Sequence, residues 1–225
     1  MDDQDNAQPM QRPPAWNGID AMTDGDLDRH SRIRCLGQAL ATRGLRLAVA
    51  ESCTGGLLAA NLTEQAGSSS WFEGGWITYS NRAKQRDLAV PASLFAEVGA
   101  VSGEVVTAMA GGAIERADVD YAVAISGVAG PGGGSDTKPV GTVWIGWGYR
   151  PPAESGATQA GPTTFASRFR FPGERQAVRE AAVDVALQGL CAHLGGKGWS
   201  QQVASEWSSA HWPVAGLKWE EEPRA

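Results

Sequence analysis

The sequence predicts an α/β domain, a three-layer α/β/α sandwich around a mixed, mostly parallel sheet that a C-terminal hairpin and helix complete. Three observations carry this expectation. Short apolar, β-branched runs alternate with segments of helical apolar spacing through the first half of the chain. Two strand-like segments then follow one another across a Pro- and Gly-bearing tip, as a hairpin does. A long helical segment from Glu174 to Leu194 comes last.

Taken in order, residues 1–22 are polar, Pro- and Gln-bearing and aperiodic, and read as a disordered arm. Thr23 has the character of an N-cap, with Asp24 and Asp26 suited to a first helical turn. Leu27, Ile33, Leu36 and Leu40 then recur at helical intervals up to a stop at Gly44. Leu45 to Ala50 reads as a strand and Leu57 to Leu62 as a helix, with Ser52 at their junction. Trp71 to Tyr79 is aromatic and β-branched, a second strand after the Ser68–Ser70 turn. Pro91 opens a short helix and Ser102 caps a longer one running to about Arg116. Asp120 to Ser126 is a buried-type strand leading into the loop Gly127-Val128-Ala129-Gly130-Pro131-Gly132-Gly133-Gly134. Val140 to Tyr149 and Thr163 to Phe171 flank the tip at 151–162 and form the hairpin, and Gly195-Gly196 ends the last helix. The expected organisation is an arm over 1–22, one domain over 23–194 and a tail over 195–225. That tail carries Trp199, Trp207, Trp212 and Trp219, which suits packing onto the domain or a second subunit better than free solvation.

Composition excludes several classes of function. A net charge of −6 argues against a broad nucleic-acid interface, which needs a basic face, but leaves a small phosphorylated ligand open. No apolar run approaches the roughly 20 residues that span a bilayer, so no membrane partner is expected. The acidic start Met1-Asp2-Asp3-Gln4-Asp5 lacks the apolar stretch of a secretory signal. Cys35, Cys53 and Cys191 are odd in number and widely spaced, which speaks against a disulfide framework and for the cytoplasm.

The chemistry-bearing residues begin with Ala50-Glu51-Ser52-Cys53-Thr54-Gly55-Gly56. A hydroxyl where a strand gives way to a helix lies near unpaired N–H groups, where an anion or developing oxyanion is favoured. Ser52 or Thr54 simply capping the helix is the competing reading. His30, His193 and His211 are the only histidines, two in terminal helices and one in the tail, so none is placed by sequence to serve Ser52. No CxxC, HExxH or other metal-ligand spacing occurs, so neither a metal nor a cofactor is expected. A base for Ser52 is then more plausibly a lysine, and Lys84 stands five positions after Tyr79. Strand ends at one rim of a sheet gather ligands, so Tyr79, Lys84 and Ser52 are expected to meet there, Tyr79 relaying a proton or orienting the amine. Lysine acts as a base only when neutral, so its ordinary pKa near 10.4 must fall roughly 2–3 pH units, on the order of 3–4 kcal/mol. Desolvation and the neighbouring Arg82 are the expected causes. Solvated surface charges are the plainer fate of both residues. The loop after Ser126 offers backbone N–H groups for a carboxamide or phosphate but matches neither GxxxxGK[ST] nor GxGxxG. Arg175 falls in the first turn of the last helix, among Arg170 and Arg179, where it serves either an anion or the fold.

Together these segments resemble the CinA C-terminal domain family, the nicotinamide-nucleotide amidohydrolases. The resemblance rests on the Glu51–Gly56 motif, Tyr79-Ser80-Asn81 with Lys84, and Val101-Ser102 with Glu104. Ile125 to Gly133, Lys138-Pro139-Val140-Gly141 and Gly173-Glu174-Arg175 complete it, over about residues 26–194. It implies hydrolysis of the carboxamide of nicotinamide mononucleotide to nicotinic acid mononucleotide and ammonia. Ser52 becomes the nucleophile, Lys84 its base and Tyr79 an aid to proton transfer. Thr54, Gly55, Asn81, Ser126, Gly127, Ala129, Gly130 and Arg175 become the substrate-binding set. A small-molecule nucleotide is the implied partner, with a homodimer or higher homo-oligomer as the assembly. Ser126 stands where the family more often has threonine, the hydroxyl being kept. The hairpin tip and the Trp-bearing tail are additions, and the molybdopterin-binding-like domain of longer members has no counterpart in these residues. Two competing readings are a non-catalytic nucleotide- or pterin-binding regulatory module and an amidohydrolase with another carboxamide substrate.

Overall fold

The computed structural model describes residues 27–151 and 161–195, together with the backbone of 218–219. The first helix, α1 (Arg29–Arg43), is capped by Asp28, whose side chain accepts from the Ser31 N–H at 2.8 Å. It therefore starts later than expected, because Asp28 in an extended conformation supplies the cap expected of Thr23. Thr23, Asp24 and Asp26 lie outside the described residues. Gly44, left-handed at φ 66°, ends α1 as expected.

Strand β1 (Leu47–Glu51) pairs in parallel with β2 (Phe72–Ile77) on one side and β3 (Tyr121–Gly127) on the other. Next to β3, β4 (Thr142–Tyr149) runs antiparallel and forms the expected hairpin with β5 (Thr163–Arg170). A two-residue strand, β6 (Lys218–Trp219), pairs antiparallel with the end of β5, giving the order β2-β1-β3-β4-β5-β6. Two ladders are parallel and three antiparallel, and β1, β2, β3 and β5 all run the same way, which is the mixed sheet expected. The antiparallel ladders begin where the glycine loop brings β4 back along β3 with no crossover helix between them. Trp199, Trp207, Trp212 and most of the hairpin tip lie outside the described residues.

Between the strands run α2 (Leu57–Glu64), α3 (Asn81–Leu88), α4 (Ala92–Glu97) and α5 (Gly103–Ala117), and α6 (Arg175–Leu194) follows the hairpin. Two apolar cores result, one on each sheet face. Leu47 and Val49 of β1 point into the core built with α1, α2 and α6, whereas Ala48 and Ala50 face that of α3, α4 and α5. This is the period-2 alternation of a strand buried on both faces. A bidentate pair from Arg29 to Asp184, at 2.6 and 2.9 Å, ties α1 to α6. The small side chains on the α5 side let that helix sit close. A Cβ on Gly112 of α5 would stand 2.0 Å from the Leu88 carbonyl, so only glycine admits this contact with the end of α3.

Candidate active site

Every residue of the Ser52 turn is fixed by backbone geometry before any side-chain chemistry enters. Ser52 follows the last residue of β1, and its N–H donates to the Ile125 carbonyl of β3 at 2.9 Å. Gly55 and Gly56 then adopt left-handed conformations, φ 61° and 91°, which reverse the chain into α2. Neither Ser52 nor Thr54 caps α2, which begins after Gly56 without a side-chain cap. That work falls to Glu51, fully buried, whose carboxylate accepts from Gly56 N (3.0 Å), Leu58 N (3.1 Å) and Ala59 N (2.8 Å). Its side chain leaves the end of β1 in the direction of α2, a role that its position in the motif did not announce. The Ser52 hydroxyl is thereby free of capping and stays 8% exposed.

Lys84 arrives from the neighbouring strand end. Thr78 hydrogen-bonds to the Glu51 carbonyl and Ser80 caps α3, accepting from Ala83 N at 3.1 Å, so α3 lies beside the Ser52 turn. On this highly polar helix Lys84 and Leu88 are the buried residues. Lys84 is 1% exposed, and its Nζ lies 3.0 Å from Ser52 Oγ and 2.6 Å from the Thr78 carbonyl, with the Tyr79 carbonyl at 3.4 Å. Burial lowers the Lys84 pKa from its ordinary 10.5 to about 8, against a smaller opposing effect of Cys53. Arg82, expected to contribute, does not figure in this shift. It is exposed on α3, where water screens its charge. Cys53, next to Ser52, is buried and its thiol is pushed up to about 12, mainly by desolvation, so it stays protonated.

The expected binding residues sort into two groups. The Tyr79 side chain, 64% exposed, lies at the rim with its hydroxyl 3.5 Å from Arg175 Nη2, so it hydrogen-bonds to neither Ser52 nor Lys84. Arg175 also donates to the Gly130 carbonyl at 2.9 Å, which joins the glycine loop, the start of α6 and Tyr79 around the mouth. Arg179, one turn further on, donates from Nε (3.2 Å) and Nη2 (2.6 Å) to the Thr54 carbonyl. Ser126 is turned inward and donates to the Ala100 carbonyl at 2.8 Å, Gly127 ends β3 and Ala129 is buried. Asn81 is exposed at the first residue of α3 and makes no hydrogen bond to Ser52 or Lys84. His30 is exposed on α1. His193 packs against Tyr121 and Tyr149, at the opposite end of the sheet from Ile125, and burial lowers it to about 4. His211 lies outside the described residues. Among the described residues no group of three His, Cys, Asp or Glu side chains could hold a metal ion, and no helix is long and apolar enough to cross a membrane.

The arrangement is a hydroxyl hydrogen-bonded to a buried amine, under a rim that carries guanidinium groups and backbone donors. Comparison with known proteins bears on its identity. The chain is 50% identical over 155 residues to the nicotinamide-nucleotide amidohydrolase PncC of Pseudomonas putida, covering 69% of this chain and 90% of that protein. It is 47% identical over 151 residues to a CinA-like protein of Akkermansia muciniphila, covering 67% of this chain but 34% of that longer protein. The crystal structure of competence damage-inducible protein A (ComA) from Klebsiella pneumoniae superposes with a TM-score of 0.68 at 38% identity. The match covers 77% of this chain and all of that one. With residues 30–194 matching the CinA C-terminal domain, this chain belongs to that family.

Proposed function

We propose that this protein hydrolyses the carboxamide of nicotinamide mononucleotide to nicotinic acid mononucleotide and ammonia, with Ser52 as nucleophile and Lys84 as its base. The observation that carries the reading is the 3.0 Å contact between Lys84 Nζ and Ser52 Oγ in a setting that lowers the amine to about 8. A neutral amine has two N–H donors and one lone pair. The Thr78 and Tyr79 carbonyls take the two donors, which leaves the lone pair for the Ser52 proton. Tyr79 thus orients the amine through its carbonyl, while its hydroxyl faces Arg175.

Ser52 Oγ attacks the amide carbon as Lys84 takes its proton, and the same proton passes to the nitrogen that departs as ammonia. Water then attacks the acyl ester with Lys84 again as base. Among the described residues the N–H groups of Cys53 and Thr54 donate to no other residue's acceptor, the Cys53 amide lying within reach of its own thiol, and they suit the oxyanion that forms beside Ser52. Arg175 and the 126–130 loop hold the nucleotide, the guanidinium taking the phosphate.

The 23–194 unit carries the activity in this reading, and the protein works in the cytoplasm as a homo-oligomer. Ile77 and Tyr79, 60% and 64% exposed near the outer strand β2, offer an apolar surface for self-association. The test is ammonia release from nicotinamide mononucleotide, its riboside and free nicotinamide. Release from the mononucleotide alone, lost in Ser52→Ala, supports the reading. Saturable binding without turnover replaces it with a regulatory binding module, and preference for another carboxamide replaces the substrate.

A further inference from the structure

The anion site that the α2 N-terminus would present is already filled. Glu51 occupies three of its N–H groups, so a substrate phosphate or oxyanion finds no donors there. Stabilisation of the oxyanion is left to the Cys53 and Thr54 amides, and their aim depends on how the two preceding carbonyls are held.

Arg179 holds the first of them, that of Ser52, at one remove. Its Nε and Nη2 both donate to the Thr54 carbonyl, which also accepts from Leu57 N at 3.2 Å. The Thr54 carbonyl shares a rigid peptide plane with the Gly55 N–H. That N–H donates to the Ser52 carbonyl at 3.1 Å, and the Ser52 carbonyl shares its own plane with the Cys53 N–H. The guanidinium therefore anchors a relay of two peptide planes whose far end is the Cys53 amide, and each hydrogen bond polarises the next. Glu51 pins Gly56 and the first turn of α2, so the two charged side chains hold this segment by the Gly56 donor and the Thr54 acceptor. Neither touches Ser52 Oγ or Lys84 Nζ.

We propose that Arg179 is a positioning residue that aims the Cys53 N–H at the oxyanion, with Glu51 as its counterpart across the turn. The inference rests on Ser52 being the nucleophile. In the full chain, Arg179→Met should lower kcat for nicotinamide mononucleotide roughly 10–100-fold with KM little changed, since the amides bind charge that develops after the ground state. Added guanidinium should restore part of that kcat, and Arg179→Lys, a point charge unable to reproduce the forked contact, should fall between the two. Glu51→Gln, which turns one carboxylate oxygen into a donor facing an N–H, should also lower kcat rather than raise KM. An Arg179→Met enzyme with raised KM and unchanged kcat would show that the guanidinium binds substrate instead, and overturn the proposal. Wild-type kcat in both Arg179 variants would overturn it as well, and so would a kcat loss in Arg179→Met that guanidinium does not relieve while Arg179→Lys is equally impaired. Ser52→Ala assayed in parallel keeps the two claims apart. Its retained activity removes the nucleophile itself, whereas its inactivity beside fully active Arg179 variants removes only the relay.

Discussion

Replacing Lys84 by Met should uncouple stability from pH as well as abolish turnover. The cation is disfavoured in the folded chain, its pKa falling from 10.5 to about 8 through burial. An unfolded chain therefore binds more protons than the folded one between these values, and stability rises with pH across that window. The opposition to folding is fully present below about pH 8 and fades toward 10.5. Each pH unit of difference corresponds to about 1.4 kcal/mol, so wild type is held back by about 3 kcal/mol at pH 7 and about 2 kcal/mol at pH 9. Lys84→Met removes the titration. It also strips the Thr78 carbonyl of a donor, an offset of about 1–3 kcal/mol that does not vary with pH. Urea unfolding of both proteins at pH 7 and 9 should therefore show wild type gaining about 1 kcal/mol on the variant over that interval. The same group predicts a kcat/KM that climbs about tenfold per pH unit below 8 and levels above it. Parallel stability curves for the two proteins, together with a rate that is flat from pH 6 to 8, would refute a buried titrating amine at position 84.

Arg175→Ala should raise KM for the mononucleotide about tenfold and leave KM for its riboside nearly unchanged, because the lost partner is the phosphate. Steady-state kinetics on the two substrates checks this. Cys53→Ala should keep kcat within about threefold and thiol reagents should not inactivate the wild type, since the buried thiol is held near 12 and remains unreactive. Gly112→Ala places a methyl 2.0 Å from the Leu88 carbonyl, which forces α5 and α3 apart. A loss of about 1–3 kcal/mol in urea unfolding should accompany a lower kcat, because α3 carries Lys84.

Much of this molecule was legible in its sequence where one periodicity governs one element. The strands from Leu47, Tyr121, Thr142 and Thr163 and the helix ending at Leu194 fall within a few residues of expectation, since apolar alternation and terminal glycines mark them. Pairing was less legible. That β4 folds back on β3 depends on the long loop between Gly127 and Thr142 returning the chain to the same strand, which its glycines permit but do not dictate. The cap of α1 was misplaced for a related reason. Thr23 and Asp28 are equally good caps in isolation, and tertiary ties such as that of Arg29 to Asp184 favour the later start. Within the site, the meeting of Ser52 and Lys84 was anticipated from the lack of a histidine placed to serve Ser52, from strand ends sharing a rim and from the family resemblance. The contributions of Glu51 and Arg179 were not, because both act on backbone groups, and no side-chain pattern records which amide or carbonyl a charge will reach.

The same division bears on how Lys84 can serve as the proposed base without a cationic neighbour. Glu51 is adjacent to Ser52 in sequence, and a carboxylate within reach of Lys84 would stabilise its ammonium form and hold it charged near neutrality. The fold prevents this by committing both Glu51 oxygens to the N–H groups of Gly56, Leu58 and Ala59. Lys84 is left with a hydroxyl and two carbonyls, dipoles too weak to offset the loss of water around a side chain 1% exposed. Desolvation then dominates its titration. In the proposed mechanism the carboxylate that shapes the Ser52 turn and the amine that takes the Ser52 proton thus depend on being kept apart. A new acid beside Lys84 should accordingly cost activity at neutral pH even where it improves the fold. Thr78→Asp, whose backbone still accepts from the amine, puts this to measurement. Its kcat/KM profile should move to higher pH by one unit or more, about a tenfold loss at pH 7 that is recovered near pH 9, and an unshifted profile would mean that the group whose titration sets the rate is not an amine within reach of position 78.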